Sequence, residues 1–145
     1  MMDMAERFRE ALQGVLAAGT LVVTAAAGAW AQPPEQEVFR GDGAEVTLHL
    51  HGFLTQEELL ILRQIAASPE ARLALLGETE DGHAAIALAP DEGFIRDGAP
   101  ANSAAALSGL PDAAAAQAAA MAACEGARAG GGADCVVVLE VAPGG

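Results

Sequence analysis

The stretch EVTLHLHGFLTQEELLILRQIAA, residues 45–67, decides how this chain is read. Segment 45–51 alternates: Val46, Leu48 and Leu50 share one face, and Glu45, Thr47, His49 and His51 share the other. That is the period of a half-buried strand with one wet face. The period then changes. Thr55 and Glu58 stand at the head of an apolar run with the spacing of a capping box, each side chain bonding the other's amide. Leu54 and Leu59 occupy the positions of a hydrophobic staple, and Leu59, Leu62, Ile65 and Ala66 recur at helical spacing. A one-faced strand followed by a one-striped helix predicts helices packed on a small sheet.

Downstream, Ser68-Pro69-Glu70 ends the first helix and can cap a second short one through Leu76, stopped by Gly77. Leu73 and Leu75 fit a strand as well, so both readings of that segment stay open. His83 to Ala89 reads as a buried strand, Pro90-Asp91-Glu92-Gly93 as a turn, and Phe94-Ile95-Arg96 as a returning strand. Asp97 to Leu110 is rich in Gly, Ala, Ser and Pro and is expected to be an irregular loop. Asp112 can N-cap an alanine-rich helix that ends near Arg128, before Gly130-Gly131-Gly132. Cys135 to Val141 is β-branched and apolar, a central strand, and 142–145 is expected to be a disordered tail.

Upstream, 32–44 is expected to be an extended lead-in, with Val38-Phe39 able to start a strand and Gly41-Asp42-Gly43 signalling a turn. The predicted domain is therefore 45–141, of α+β class: a small mainly antiparallel sheet with two or three helices and one disulfide.

Residues 1–31 are expected to be a signal peptide. Val15 to Trp30 is almost wholly apolar or small, Ala29-Trp30-Ala31 offers the small–x–small cleavage pattern, and Gln32-Pro33-Pro34 follows. The leading segment carries Asp3, Glu6 and Glu10 against Arg7 and Arg9, so it lacks a clear positive charge, and an uncleaved anchor stays open. No cysteine follows the run and no Arg-Arg pair precedes it, which argues against lipoprotein and twin-arginine routes. Export implies a periplasmic or secreted protein, without stable membrane insertion once the leader is cut.

The formal net charge is −13, from 20 acidic residues against 7 basic ones, and every basic residue is arginine. Such a surface repels phosphate backbones and anionic lipids, so nucleic acid is not an expected partner. Cys124 and Cys135 flank the glycine turn. In an exported domain they are expected to pair, closing a short loop and contributing about 3 kcal/mol.

Chemistry is sparse. His49 and His51 share the wet face of their strand, and His83 could approach from a neighbouring strand to complete a zinc or copper site. Without a third clustered ligand, the plainer reading is polar residues on an exposed face. Ser68, Ser103 and Ser108 lie outside any G-x-S-x-G elbow, and no phosphate-cradling glycine pattern opens a helix. No catalytic residue and no cofactor is expected.

Ala84 to Gly93, an alanine-rich helix ending in Cys124, and Gly132-Ala133-Asp134-Cys135-Val136-Val137-Val138 together resemble a family of small exported alphaproteobacterial proteins of unknown function. The resemblance covers about 45–141 and implies export, a disulfide and a compact α+β fold. Members often carry the label 5-aminolevulinic acid synthase. Such synthases hold pyridoxal phosphate as a Schiff base on lysine. This chain has no lysine and is too short for that fold, so the label would conflict with its residues. The expectation is a non-enzymatic module that binds another protein, with a His-based metal module and a small hydrolase as alternatives.

Overall fold

The structure, a computed structural model, describes residues 33–77 and 82–144. The expected leader and its cleavage residues Ala29 and Ala31 lie outside the described residues. In order, the elements are β1 (Glu35–Gly41), β2 (Ala44–Leu50), α1 (Gln56–Ala67), α2 (Pro69–Leu76), β3 (His83–Leu88), β4 (Ile95–Arg96), β5 (Ala99–Pro100), β6 (Ala105–Leu110), α3 (Ala113–Ala127) and β7 (Val136–Pro143). Five strands form an antiparallel sheet in the order β1-β2-β7-β3-β6, and β4 and β5 form a separate two-stranded pair. The α+β class with one disulfide is what the chain adopts.

The sheet has two unlike faces. Val46 and Leu48 on β2, Ala84, Ile86 and Leu88 on β3, and Leu139 and Val141 on β7 join Leu62, Ile65 and Ala66 of α1 in one buried aliphatic cluster. The opposite face of β3 presents Ala85 and Ala87, which pack with Ala116, Ala120 and Cys124 of α3. Those α3 positions are spaced by four, the row along which helical side chains stack. Small residues on both sides let the helix backbone lie close to the strand.

All three predicted helix caps are present. Thr55 Oγ1 accepts from the Glu58 amide at 3.1 Å, and Glu58 Oε1 accepts from the Thr55 amide at 3.0 Å. Ser68 Oγ caps α2 by accepting from the Ala71 amide at 3.2 Å, so 69–76 is helical and not a strand. Asp112 caps α3 through Ala115 at 2.8 Å.

Three segments differ from the sequence reading. The supposed lead-in 32–44 contains β1, which pairs with β2 along its length from Glu35↔Leu50 to Gly41↔Ala44. Asp42 and Gly43 both take positive φ, 54° and 74°, the two-residue turn that suits the twist of a hairpin. Glu35, Gln36 and Glu37 hide this strand from a hydrophobicity pattern because an edge strand needs little apolar surface. The supposed loop 97–110 contains β5 and β6, the latter paired with β3. There Gly82 and Gly109 touch so closely that a Cβ on Gly82 would lie 2.8 Å from the Gly109 Cα. The supposed tail is ordered through Pro143, because β7 continues beside Ala44 and Glu45 of β2.

Candidate functional site

Helix α3 packs over β3, β6 and β7, and leaves the same face of β1 and β2 uncovered. Register places Gln36, Val38 and Arg40 of β1 opposite His49, Thr47 and Glu45 of β2 on this open half. Glu140 of β7 stands opposite Thr47. Val38 is 46% exposed, an unusual position for a strand valine.

A line of hydrogen bonds crosses the surface. The Gln36 amide pairs with His49 Nδ1 at 3.2 Å, and His49 Nε2 pairs with Glu140 Oε2 at 2.7 Å. With the amide donating to Nδ1, the ring proton sits on Nε2 and is given to the carboxylate. Gln117 of α3 donates to the other oxygen of Glu140, so the line ends on the helix. His51 Nε2 donates to the Val137 carbonyl at 3.0 Å and its ring stacks on Phe53, with centroids 5.6 Å apart. Beside this row a shallow groove of about 490 Å³ runs between α3 and β7, lined by Ala114, Gln117, Ala118, Met121, Val136 and Val137.

The three histidines do not converge. His49 and His51 share a face as the alternation predicts, with ring centroids 6.3 Å apart. His83 does not approach them, because β7 lies between β2 and β3 and His83 sits at the far end of β3, opposite Leu110. Among the described residues there is no group of three or more His, Cys, Asp or Glu placed to hold a metal ion. The serines are also occupied elsewhere: Ser68 caps α2, Ser103 donates to Glu92 at 3.0 Å, and Ser108 donates to the Leu76 carbonyl.

Carboxylates, not histidines, do most of the internal bonding. Glu58 has no exposed surface. Its Oε2 accepts from the Phe94 amide, from Ile95 at 3.0 Å and from Arg96 Nε at 3.3 Å, and Arg96 Nη2 reaches Oε1 at 3.2 Å. Burial alone would raise its pKa; the bonds from Thr55, Phe94, Arg96 and Ile95 outweigh burial and bring it down to about 2. Only the local half of this role is legible in the sequence, since the 94–96 segment lies some 36 residues away.

The second such point lies at the disulfide. Cys124 and Cys135 are bonded, with Cα atoms 6.2 Å apart. Glu125 accepts from the Cys135 amide at 2.6 Å and from Arg128 Nε at 2.6 Å, and the Cys135 bond followed by Arg128 lowers its pKa. Asp91 and Glu92 accept from the Ala133 and Ala129 amides, clamping both sides of the glycine turn.

Fold and site together define a disulfide-stapled α+β domain with a half-covered sheet. Comparison with protein-family models, with curated proteins and with solved structures finds no match to this chain. A stable disulfide fits a location outside the reducing cytosol. No helix among the described residues is long and apolar enough to cross a membrane.

Proposed function

We propose that this chain is a periplasmic or secreted, non-catalytic module that binds a basic protein through the open half of its sheet. The observation that carries the reading is the partial cover: α3 spans β7, β3 and β6, and Val38, exposed, with Thr47, His49 and His51, partly exposed, lies outside that cover beside an apolar groove. Its chemistry suits protein contact. Imidazole rings, one exposed valine and one apolar groove give area, and Gln36 and Glu140 give fixed polar anchors. The net charge of −13, with Arg40 already paired to Glu45 at 2.8 Å, favours a partner with a basic contact surface.

Export and binding separate experimentally. Intact mass of the protein from its native host should correspond to residues 32–145 lacking the two thiol hydrogens; full-length cytosolic protein with titratable thiols overturns export. A photo-reactive residue in place of Thr47 should give discrete adducts that the same group in place of Gln64, on α1 across the sheet, does not. Equal adducts at both places, or none at either, overturns the binding face.

A second reading is favoured by the adjacency of His49 and His51. A divalent metal there would have to displace the Gln36, Glu140 and Val137 bonds. Calorimetric titration with zinc decides it: heat that vanishes in His49→Ala/His51→Ala supports the site, and no heat ends it.

A further inference from the structure

Five arginines fall among the described residues, and four of them meet a carboxylate: Arg40 with Glu45, Arg63 with Glu37, Arg96 with Glu58, and Arg128 with Glu125. The fifth, Arg72, is only 6% exposed and has no acidic partner within 4.0 Å among those residues. The most enclosed of these cations is thus the one without an anion among the described residues.

Part of its charge is answered by the end of α1. Arg72 Nη1 donates to the Ala66 carbonyl at 2.6 Å and the Ile65 carbonyl at 3.4 Å, where a cation meets the negative end of the helix dipole. Nε and Nη2 make no bond to any described residue. Every fully buried side-chain nitrogen among the described residues has a partner, so this edge is not sealed. Arg72 lines a cavity of about 240 Å³ between the β1–β2 turn and the junction of α1 and α2. Phe39, Val46, Ala66 and Ala67 form its apolar wall, and Arg40 and Asp42 stand on its lining.

We propose that this cavity binds a small monocarboxylate with a short aliphatic tail. The free Nε–Nη2 edge of a guanidinium matches a carboxylate with two parallel bonds. The tail lies against Phe39 and Val46. Asp42 on the lining, Glu45 beside Arg40 and Glu70 near Arg72 oppose a doubly charged anion such as phosphate, which selects a single negative charge. The site lies on the aliphatic side of the sheet, away from the open half, and does not depend on the protein-binding reading.

The test is a ¹H–¹⁵N titration of the full disulfide-bonded chain with sodium butyrate, against sodium chloride at equal ionic strength and against sodium phosphate. Saturable shifts at Gly41, Ala67 and the Arg72 Nε–H are expected with butyrate, and phosphate should bind at least tenfold more weakly. Arg72→Met should abolish saturation. Ala67→Leu narrows the cavity without touching the Arg72–helix bonds, and should weaken butyrate at least tenfold even where the Arg72 variant fails to fold. Butyrate shifts that track chloride, or that survive Ala67→Leu unchanged, overturn the site, and phosphate binding as tightly as butyrate overturns the assigned ligand class.

Discussion

The two faces of the sheet are built on opposite principles. On one, Leu48, Ile86, Leu88 and Leu139 meet Leu62 and Ile65, and stability comes from large buried side chains. On the other, alanines meet alanines, each burying little, and a covalent bond fastens α3 to β7. The contrast teaches that a helix with too little apolar bulk can still be held by close approach and a staple.

The largest effect should come from the bulky face. Ile86→Ala is expected to cost about 4 kcal/mol in urea denaturation, because the side chain is wholly buried and its neighbours cannot all collapse into the gap. Replacing both cysteines with alanine tests the other principle; a loss of about 3 kcal/mol is expected, and a loss much smaller would mean that alanine packing alone holds α3. Glu58, at the head of α1, links the aliphatic side to the 94–96 segment. Its carboxyl is held at about 2 against an ordinary 4.5, so the bound form is the charged one and the stabilisation is complete above 4.5. It should fade as pH falls from 4.5 toward 2, by on the order of 3 kcal/mol, and Glu58→Gln should flatten that part of a urea-midpoint profile. Ala120→Val probes closeness directly: overpacking of about 2 kcal/mol is expected, where a face with slack would accept the methyls. Smallest of all, Arg63→Ala should lose under about 1 kcal/mol, since its pair with Glu37 is half-exposed and screened by water.

Much of the fold was legible where local chemistry is self-contained. The alternation of 45–51, the Thr55–Glu58 box and the cysteine pair each announce their structure within a dozen residues, and each is present. What escaped was set by distant partners. β1 is polar because it is an edge, and β6, with only Leu107 and Leu110 among Ala, Ser and Gly, takes its order from pairing with β3. Of the site, the shared face of His49 and His51 could be read from period two. The separation of His83 from them could not, since it follows from β7 inserting between β2 and β3. Arg72 gave no signal at all, because neither its burial nor its want of an ion pair among the described residues is a property of the surrounding sequence.

The position of β7 has a consequence for how the molecule is made. It bonds to β2 on one side and β3 on the other, and of the five strands it is the last to be synthesised. While the ribosome still holds residues 136–143, the β1–β2 hairpin and the β3–β6 pair lack the strand that hydrogen-bonds to both. The sheet therefore cannot close until residues 136–143 are free to enter it, and its completion is the last step of the chain's assembly.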